Sequence, residues 1–346
     1  MKLHNYILIT IAILFGALGH RCQAIALPHL RIPELVSQSD VIVVADVSAF
    51  EAISAEGIAF NGEVLPGQRY RVQSVVLYRI SGTCPDRFTV EFVLPFAFTG
   101  YQYVRRGTRM LFLKKSGTAY IPTNPFYPDF PALRIEPNEM QGKEGTDLVI
   151  AELGAVVASP DTSPQEKLEV LVRSYAIPDD NSSFRNQLIA GVQNAGDPDL
   201  RSRIQSTLLS RNDVSQLEDV CNALLAGGLS AHQKELLLYG IRSRLENEQA
   251  APQLTRLLQS SSDPDIRTAS AEALWHTAAA SSIPVLTKAL DDDNPNVRYY
   301  AIRGLASITG QLQWGPGPAE YEENEAKYRE HWLQWASHRS APDTHH

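Results

Sequence analysis

A short phrase recurs in the second half of this chain. Asp197-Pro198-Asp199-Leu200-Arg201 returns as Asp263-Pro264-Asp265-Ile266-Arg267 and again as Asn294-Pro295-Asn296-Val297-Arg298. Weaker copies are Ser163-Pro164-Gln165-Glu166-Lys167 and Ser230-Ala231-His232-Gln233-Lys234. The basic residue that closes each copy sits at 167, 201, 234, 267 and 298, a period of just over thirty residues. Periods in this range mark stacked supersecondary units, so the repeat fixes the architecture before any other feature. Asp, Asn or Ser followed by Pro is a helix N-cap with proline in the first turn. After the cap, Ile266, Ala269, Ala273 and Leu274 are spaced for one helix face, and a second helix is expected to begin near Ser281-Ser282-Ile283-Pro284 and to bury Val285, Leu286 and Leu290. The small Ala273, Ala278, Ala301 and Ala306 favour close helix packing. One such pair cannot bury its apolar side alone, whereas a stack of pairs can.

The segment 263–310 resembles HEAT-like repeats, the short bacterial type related to bilin-lyase repeats, and the likeness extends in degenerate form over 163–310. That resemblance implies scaffolding or partner binding. Some members of the class are enzymes acting on bilin chromophores, but no lyase signature stands in this sequence. Downstream, Gly315-Pro316-Gly317-Pro318 breaks the chain. Tyr321, Tyr328 and Trp335 then recur every seven residues, joined by Trp332, as expected of a helix that covers the last repeat. The expected helical unit is 163–336, with a loose tail at 337–346.

The first half has a different periodicity. Ile32-Pro33-Glu34-Leu35-Val36-Ser37-Gln38-Ser39 reads as a short helix, with Pro33 in its first turn. Val41–Val47 is nearly continuous and β-branched, as in a buried strand. A turn containing Asn61-Gly62 and Pro66-Gly67 leads to a strand at 70–80, and further strands are expected at 88–93, 109–114 and 119–121. About five short strands with turn signals predict a small closed barrel or sandwich over 25–135. Residues 136–162 are expected to be a connector crossed by the apolar segment 148–157. The order of the short helix, Ser39-Asp40-Val41-Ile42-Val43, Val75-Val76-Leu77 and Gly107–Leu113 resembles netrin-like, OB-type barrels over about 30–125. Animal members include metalloprotease inhibitors that chelate zinc through a mature N-terminal cysteine. This chain departs from them: Cys22 falls in a leader, and their dense disulfides are missing. Protease inhibition is therefore not carried over. The fold class expected is multi-domain, a small N-terminal β-barrel followed by an α-solenoid of HEAT-like helix pairs.

The leader is read from Lys2 and His4, the apolar run 6–18 and the small-x-small triplet Cys22-Gln23-Ala24, which together form a secretory signal over 1–24. The run is short for a membrane span, and no later stretch is apolar enough for one. The chain is expected to be exported, to the periplasm or the extracellular space, with retention of the leader as an anchor the alternative. Its 31 Lys and Arg against 39 Asp and Glu give a net charge of −8, which argues against nucleic acid as a partner. Cys84 and Cys221 are either two unpaired thiols or a bridge between the halves.

Two groups of residues are candidates for partner binding. Arg201, Arg267 and Arg298 either bond to helix ends and to neighbouring repeats or line an anion-binding groove; Asp291-Asp292-Asp293 reads as a solvated cap or a cation site. Phe96, Phe98, Tyr101 and Tyr103 in one loop, with Phe126, Tyr127 and Phe130 in the proline-rich run 122–131, either cap the barrel and pack on the second domain or form a stacking platform for a sugar or peptide. Phosphate-binding glycine loops, HExxH, paired CxxC and Gly-x-Ser-x-Gly do not occur. No catalytic residue, metal ligand or cofactor site is assigned. The expected role is an exported, non-catalytic scaffold that docks a protein through its repeats. The alternatives are an enzyme with a site at the domain junction, using Cys84, or a carbohydrate-binding module using the loop aromatics.

Overall fold

The run Val41–Val47 has apolar residues at both parities, so it must be covered on both faces, and the rest of the first half is built to do so. The structure, a computed structural model, describes residues 31–60, 63–95, 104–125, 127–136, 140, 142–243 and 245–340. Among the described residues six strands form one sheet: β1 (Val41–Phe60), β2 (Glu63–Ser81), β3 (Arg87–Pro95), β4 (Gly107–Ser116), β5 (Ala119–Pro122) and β6 (Asp129–Pro131). β1 pairs antiparallel with β2 on one side and with β4 on the other. β3 lies beside β2 and β5 beside β4, and β3 meets β5 in parallel through the pair Val90 and Tyr120. The order β1-β2-β3-β5-β4 thus returns to β1.

The closed barrel expected from the sequence is instead a near-barrel ring. β5 is four residues long and shares one residue pair with β3, so that seam is held by side chains more than by a ladder. β1 and β2 are also far longer than the strands read from the sequence. Phe60 pairs with Glu63, and Pro66 lies inside β2 opposite Gly57. β3 ends opposite Gly67, which leaves this end of the hairpin beyond its reach. Four register shifts along the β1–β2 pair bend the ribbon as bulges do.

The ring's interior is filled by Val41, Val43, Ala45 and Val47 of β1 with Val72, Phe88, Val90, Leu111, Leu113 and Tyr120. The alternate residues Ile42, Val44, Met110 and Phe112 face outward into a second core. There they meet α1 (Ile32–Ser37) and α2 (Gly145–Ala158), whose residues from Leu148 to Val157 are all buried. Gly82 is obligatory where the chain leaves β2: its φ is +73°, and a Cβ there would stand 2.2 Å from the Asp40 carbonyl oxygen.

The helical half continues with α3 (Pro164–Val172), α4 (Ser182–Asn194), α5 (Pro198–Ser210), α6 (Leu217–Ala226), α7 (Ala231–Arg242), α8 (Ala251–Ser260), α9 (Pro264–Thr277), α10 (Ile283–Ala289), α11 (Pro295–Thr309) and α12 (Pro318–Ser340). The five copies of the recurring phrase open α3, α5, α7, α9 and α11. Their caps, Ser163, Asp197, Ser230, Asp263 and Asn294, each accept a backbone N–H of the first turn, and Ser163 and Ser230 form full capping boxes with Glu166 and Gln233. α5, α7, α9 and α11 pack in sequence as one layer, and α6, α8, α10 and α12 follow as the other. One apolar cluster runs from Leu209 through to Trp332. It ends on α12, where Tyr321, Tyr328 and Trp332 are buried despite a kink at Asn324. Among the described residues no helix is long and apolar enough to cross a membrane.

Candidate partner-binding surface

The closing basic residue of each repeat phrase is the fourth residue of its helix. Arg201 donates from Nη2 to the Ala195 carbonyl at 2.8 Å. Lys234 reaches Asp263 at 2.5 Å and Asp265 at 3.2 Å in the following repeat. Arg267 donates to both carboxylate oxygens of Asp292, at 2.8 and 2.9 Å, and to Asp293 at 2.5 Å. Arg298 pairs with Glu325 of α12 and donates to the Asp292 carbonyl at 2.8 Å. Against the upward push of burial, the Arg267 guanidinium and the Asn294 N–H hold the Asp292 carboxyl below its ordinary range. Asp291 pairs with Arg329. From Lys234 onward the basic residues are thus engaged with acidic groups of the next element, while Arg201 bonds to the turn before its own helix.

A different set of side chains faces outward from the same layer. On α7, Glu235, Tyr239 and Arg242 are exposed at i, i+4 and i+7, and Tyr239 keeps 60% of its surface. On α9 the half-exposed positions include Glu272, Trp275 and His276, and on α11 Tyr299, Tyr300 and Arg303. These interlock across the helices. Trp275 stacks on Tyr300 at 5.9 Å and 28°, and on His276 at 4.4 Å. The Arg303 guanidinium lies 4.4 Å from the Trp275 ring centre and donates to the Pro316 carbonyl at 3.0 Å. Tyr299 touches both Tyr300 and Tyr321. Arg242 approaches Glu272 at 3.7 Å. Burial raises the Glu272 carboxyl above its ordinary range, against the opposing Tyr300 hydrogen bond and the Arg242 charge. The result is a pre-organised strip of Tyr, Trp and Arg, the residue types that dominate binding energy at protein interfaces.

The aromatic candidates of the first half are placed differently. Phe96, Phe98, Tyr101, Tyr103 and Phe126 lie outside the described residues. Tyr127 is 5% exposed, and its hydroxyl stands 2.5 Å from that of Tyr175 in the helical half. Phe130 packs edge-on against Phe112 under the Arg173 guanidinium. Both rings therefore sit in the seam between the ring and the helices. That seam also holds a buried ion cluster. Arg109 donates to Asp129 at 2.8 Å and to Glu169 at 2.5 Å, Arg105 reaches Glu169 at 2.6 Å, and Arg173 donates to the Asp129 carbonyl at 2.8 Å. Cys84 and Cys221 are both free thiols; burial pushes Cys221 up to about 12.

A family model described as HEAT repeats matches residues 251–314, from the start of α8 to the turn after α11. Residues 251–314 are HEAT repeats. The matched segment carries Trp275, Tyr299, Tyr300 and Arg303, and Tyr239 and Arg242 lie on the preceding helix of the same layer. No curated protein matches the chain. None of these six strip residues was singled out from the sequence for binding. The available signal was Trp275 beside Leu274, and Tyr299-Tyr300 before Ala301: large rings at helix positions adjoining, but not on, the small-residue core face.

Proposed function

We propose that the chain is an exported, non-catalytic scaffold that binds a protein partner across the outward face of α7, α9 and α11. The observation that carries this reading is the interlocked strip Trp275, Tyr300 and Arg303 on the HEAT-repeat layer, continued by Arg242, which approaches Glu272, and by the exposed Tyr239 on α7, since stacked helix pairs offer extended faces to other proteins. The period of the phrase supports the short bilin-lyase-type subclass. The five-stranded, thinly seamed ring supports an OB-type reading of the first half. Export rests on the leader at 1–24.

The test is affinity capture from an envelope fraction with the full chain and with Tyr239→Asp, an exposed change that leaves the core and the salt bridges of the layer untouched. The reading expects one protein, or a small set, to be retained by the wild type and lost from the variant at unchanged melting temperature. Equal recovery by both overturns it. N-terminal sequencing of the envelope-derived protein tests export: a start at Ile25 supports cleavage after Ala24, and recovery in the cytoplasm with residues 1–24 intact opposes it.

A further inference from the structure

The inward-facing register of the ring does not stop where its packed interior stops. Tyr70 continues the face that carries Val72, and Phe92 continues that of Phe88 and Val90, while Phe50 stands midway along β1 between two register shifts. Together with Leu94, Arg105 and Arg106 they line a cavity of about 560 Å³ at the mouth of the ring. This lies within the ordinary size of small-molecule sites, which are mostly apolar with a few placed polar groups. The Tyr70 and Phe92 rings are 5.7 Å apart and within 20° of parallel, and Phe50 meets Phe92 edge-on at 83°. Tyr70 and Phe92 thus stack on each other and Phe50 stands across Phe92, a fixed aromatic cluster that lines the cavity and against which a flat guest can lie.

The charge at this mouth has the opposite sign to that of the whole chain. Arg105 is fixed by its Nη1 bond to Glu169 and by its backbone N–H, which donates to Asp129 at 2.9 Å. The buried cluster behind it sets three guanidinium groups, of Arg105, Arg109 and Arg173, against two carboxylates, of Asp129 and Glu169. Arg106 adds another. It lies 5.4 Å from the Phe50 ring centre, is exposed, and has no ion pair among the described residues. A guanidinium stacked on a ring keeps its edge N–H groups available, in a fork that fits a carboxylate or sulfonate.

We propose that this mouth is a binding site for a small aromatic anion: one or two fused flat rings against Tyr70, Phe92 and Phe50, with an attached carboxylate or sulfonate on Arg106. The site is independent of the helical strip. Fluorescence titration of the full chain with 1-anilinonaphthalene-8-sulfonate and with N-phenyl-1-naphthylamine, which has the same rings without the anion, tests it. The expected result is one saturable sulfonate site, with the neutral dye bound at least tenfold more weakly. Arg106→Gln should weaken the sulfonate about tenfold and leave the neutral dye unchanged, and Tyr70→Leu should weaken both. Equal affinity for the two dyes overturns the proposal. So does Arg106→Gln within twofold of wild type, sulfonate binding lost in Tyr239→Asp, or no saturable binding, the result expected if the chain's own residues fill the mouth.

Discussion

Glu152 offers a sharp test of how the two halves are joined. It lies on α2, its side chain has no solvent exposure, and it points into the seam with the ring. Its carboxyl accepts the Tyr78 hydroxyl at 2.6 Å and the Leu133 N–H at 2.5 Å. Burial outweighs both bonds and, with the nearby Glu136 charge, pushes the carboxyl up from the ordinary value near 4.5 to about 7. Between those values the folded chain holds a proton that the unfolded chain has released, so this group's contribution is complete below pH 4.5 and fades as pH rises through 7. A tenfold change in proton affinity is worth about 1.4 kcal/mol, and integrating from pH 5 to pH 8 gives a loss of about 2.5 kcal/mol from this one residue. Glu152→Gln keeps an acceptor for Leu133 and a partner for Tyr78 but cannot ionise, so it removes that slope. Urea unfolding of both proteins at pH 5, 6, 7 and 8 measures it. In the difference between the two curves, carboxylates held low in the fold, such as Asp263, Asp292 and Glu325, cancel. The variant should gain about 2.5 kcal/mol on the wild type between pH 5 and pH 8. A difference that stays flat to within about 0.5 kcal/mol would show that the carboxyl is not desolvated, and the seam would then not be sealed as described.

Arg109→Ala strips Asp129 and Glu169 of their shared buried partner and should cost about 3–5 kcal/mol in urea unfolding, part of it recovered when Glu169→Gln is added. Gly240→Ala places a methyl 2.9 Å from the Ser206 Cα and 3.1 Å from its carbonyl oxygen, forcing α7 away from α5; a loss of about 1–3 kcal/mol is expected by thermal melting, and a neutral result would mean the layer is looser than drawn. Asp292→Ala removes the acceptor of two Arg267 bonds and of the Asn294 N–H, and should lower stability by about 1–3 kcal/mol, with a smaller effect for Asp293→Ala, whose carboxylate is far more exposed.

What was readable in the sequence follows from how local each determinant is. The repeat phrase carries its own N-cap, proline and apolar spacing, so the helix starts at Pro164, Pro198, Pro264 and Pro295 follow from a few adjacent residues. The length of β1 and β2 was not legible, because residues such as Ser54, Glu56 and Gln68 have no strand preference and are held extended by pairing across the hairpin. The apolar segment 148–157 was seen, yet nothing local distinguishes a connector from a helix buried on every side; its partners are Ile42, Val44, Met110 and Phe112, on strands distant in sequence. The ion cluster was hidden for the same reason. Arg109 reads as an ordinary polar end of an apolar strand until Asp129 and Glu169 are brought to it. The strip was missed because Trp275, Tyr299 and Tyr300 carry the mark of core residues; only the stacking of α9 against α11 shows that their outer edges stay open.

The seam governs how the two candidate surfaces have to be separated. Asp129 and Arg109 belong to the sheet, Glu169 and Arg173 to α3 and the residue that follows it, and one apolar core spans Met110 and Phe112 on one side and Val170, Leu171 and Phe184 on the other. Cutting the chain before residue 163 would leave Arg109 and Asp129 without Glu169 and would expose that core, and burying or baring such groups unpaired costs several kcal/mol. Loss of binding after such a cut would then report misfolding as readily as a missing surface. Arg105 sharpens the point, since the same guanidinium lines the mouth of the ring and holds Glu169. Substitutions at Arg106 and Tyr239 avoid this entanglement: both residues are exposed, neither has a salt bridge among the described residues, and each belongs to one surface alone. If Arg106→Gln weakens sulfonate binding while partner capture persists, and Tyr239→Asp abolishes capture while sulfonate binding persists, the ring and the helical stack carry separate functions on a shared core.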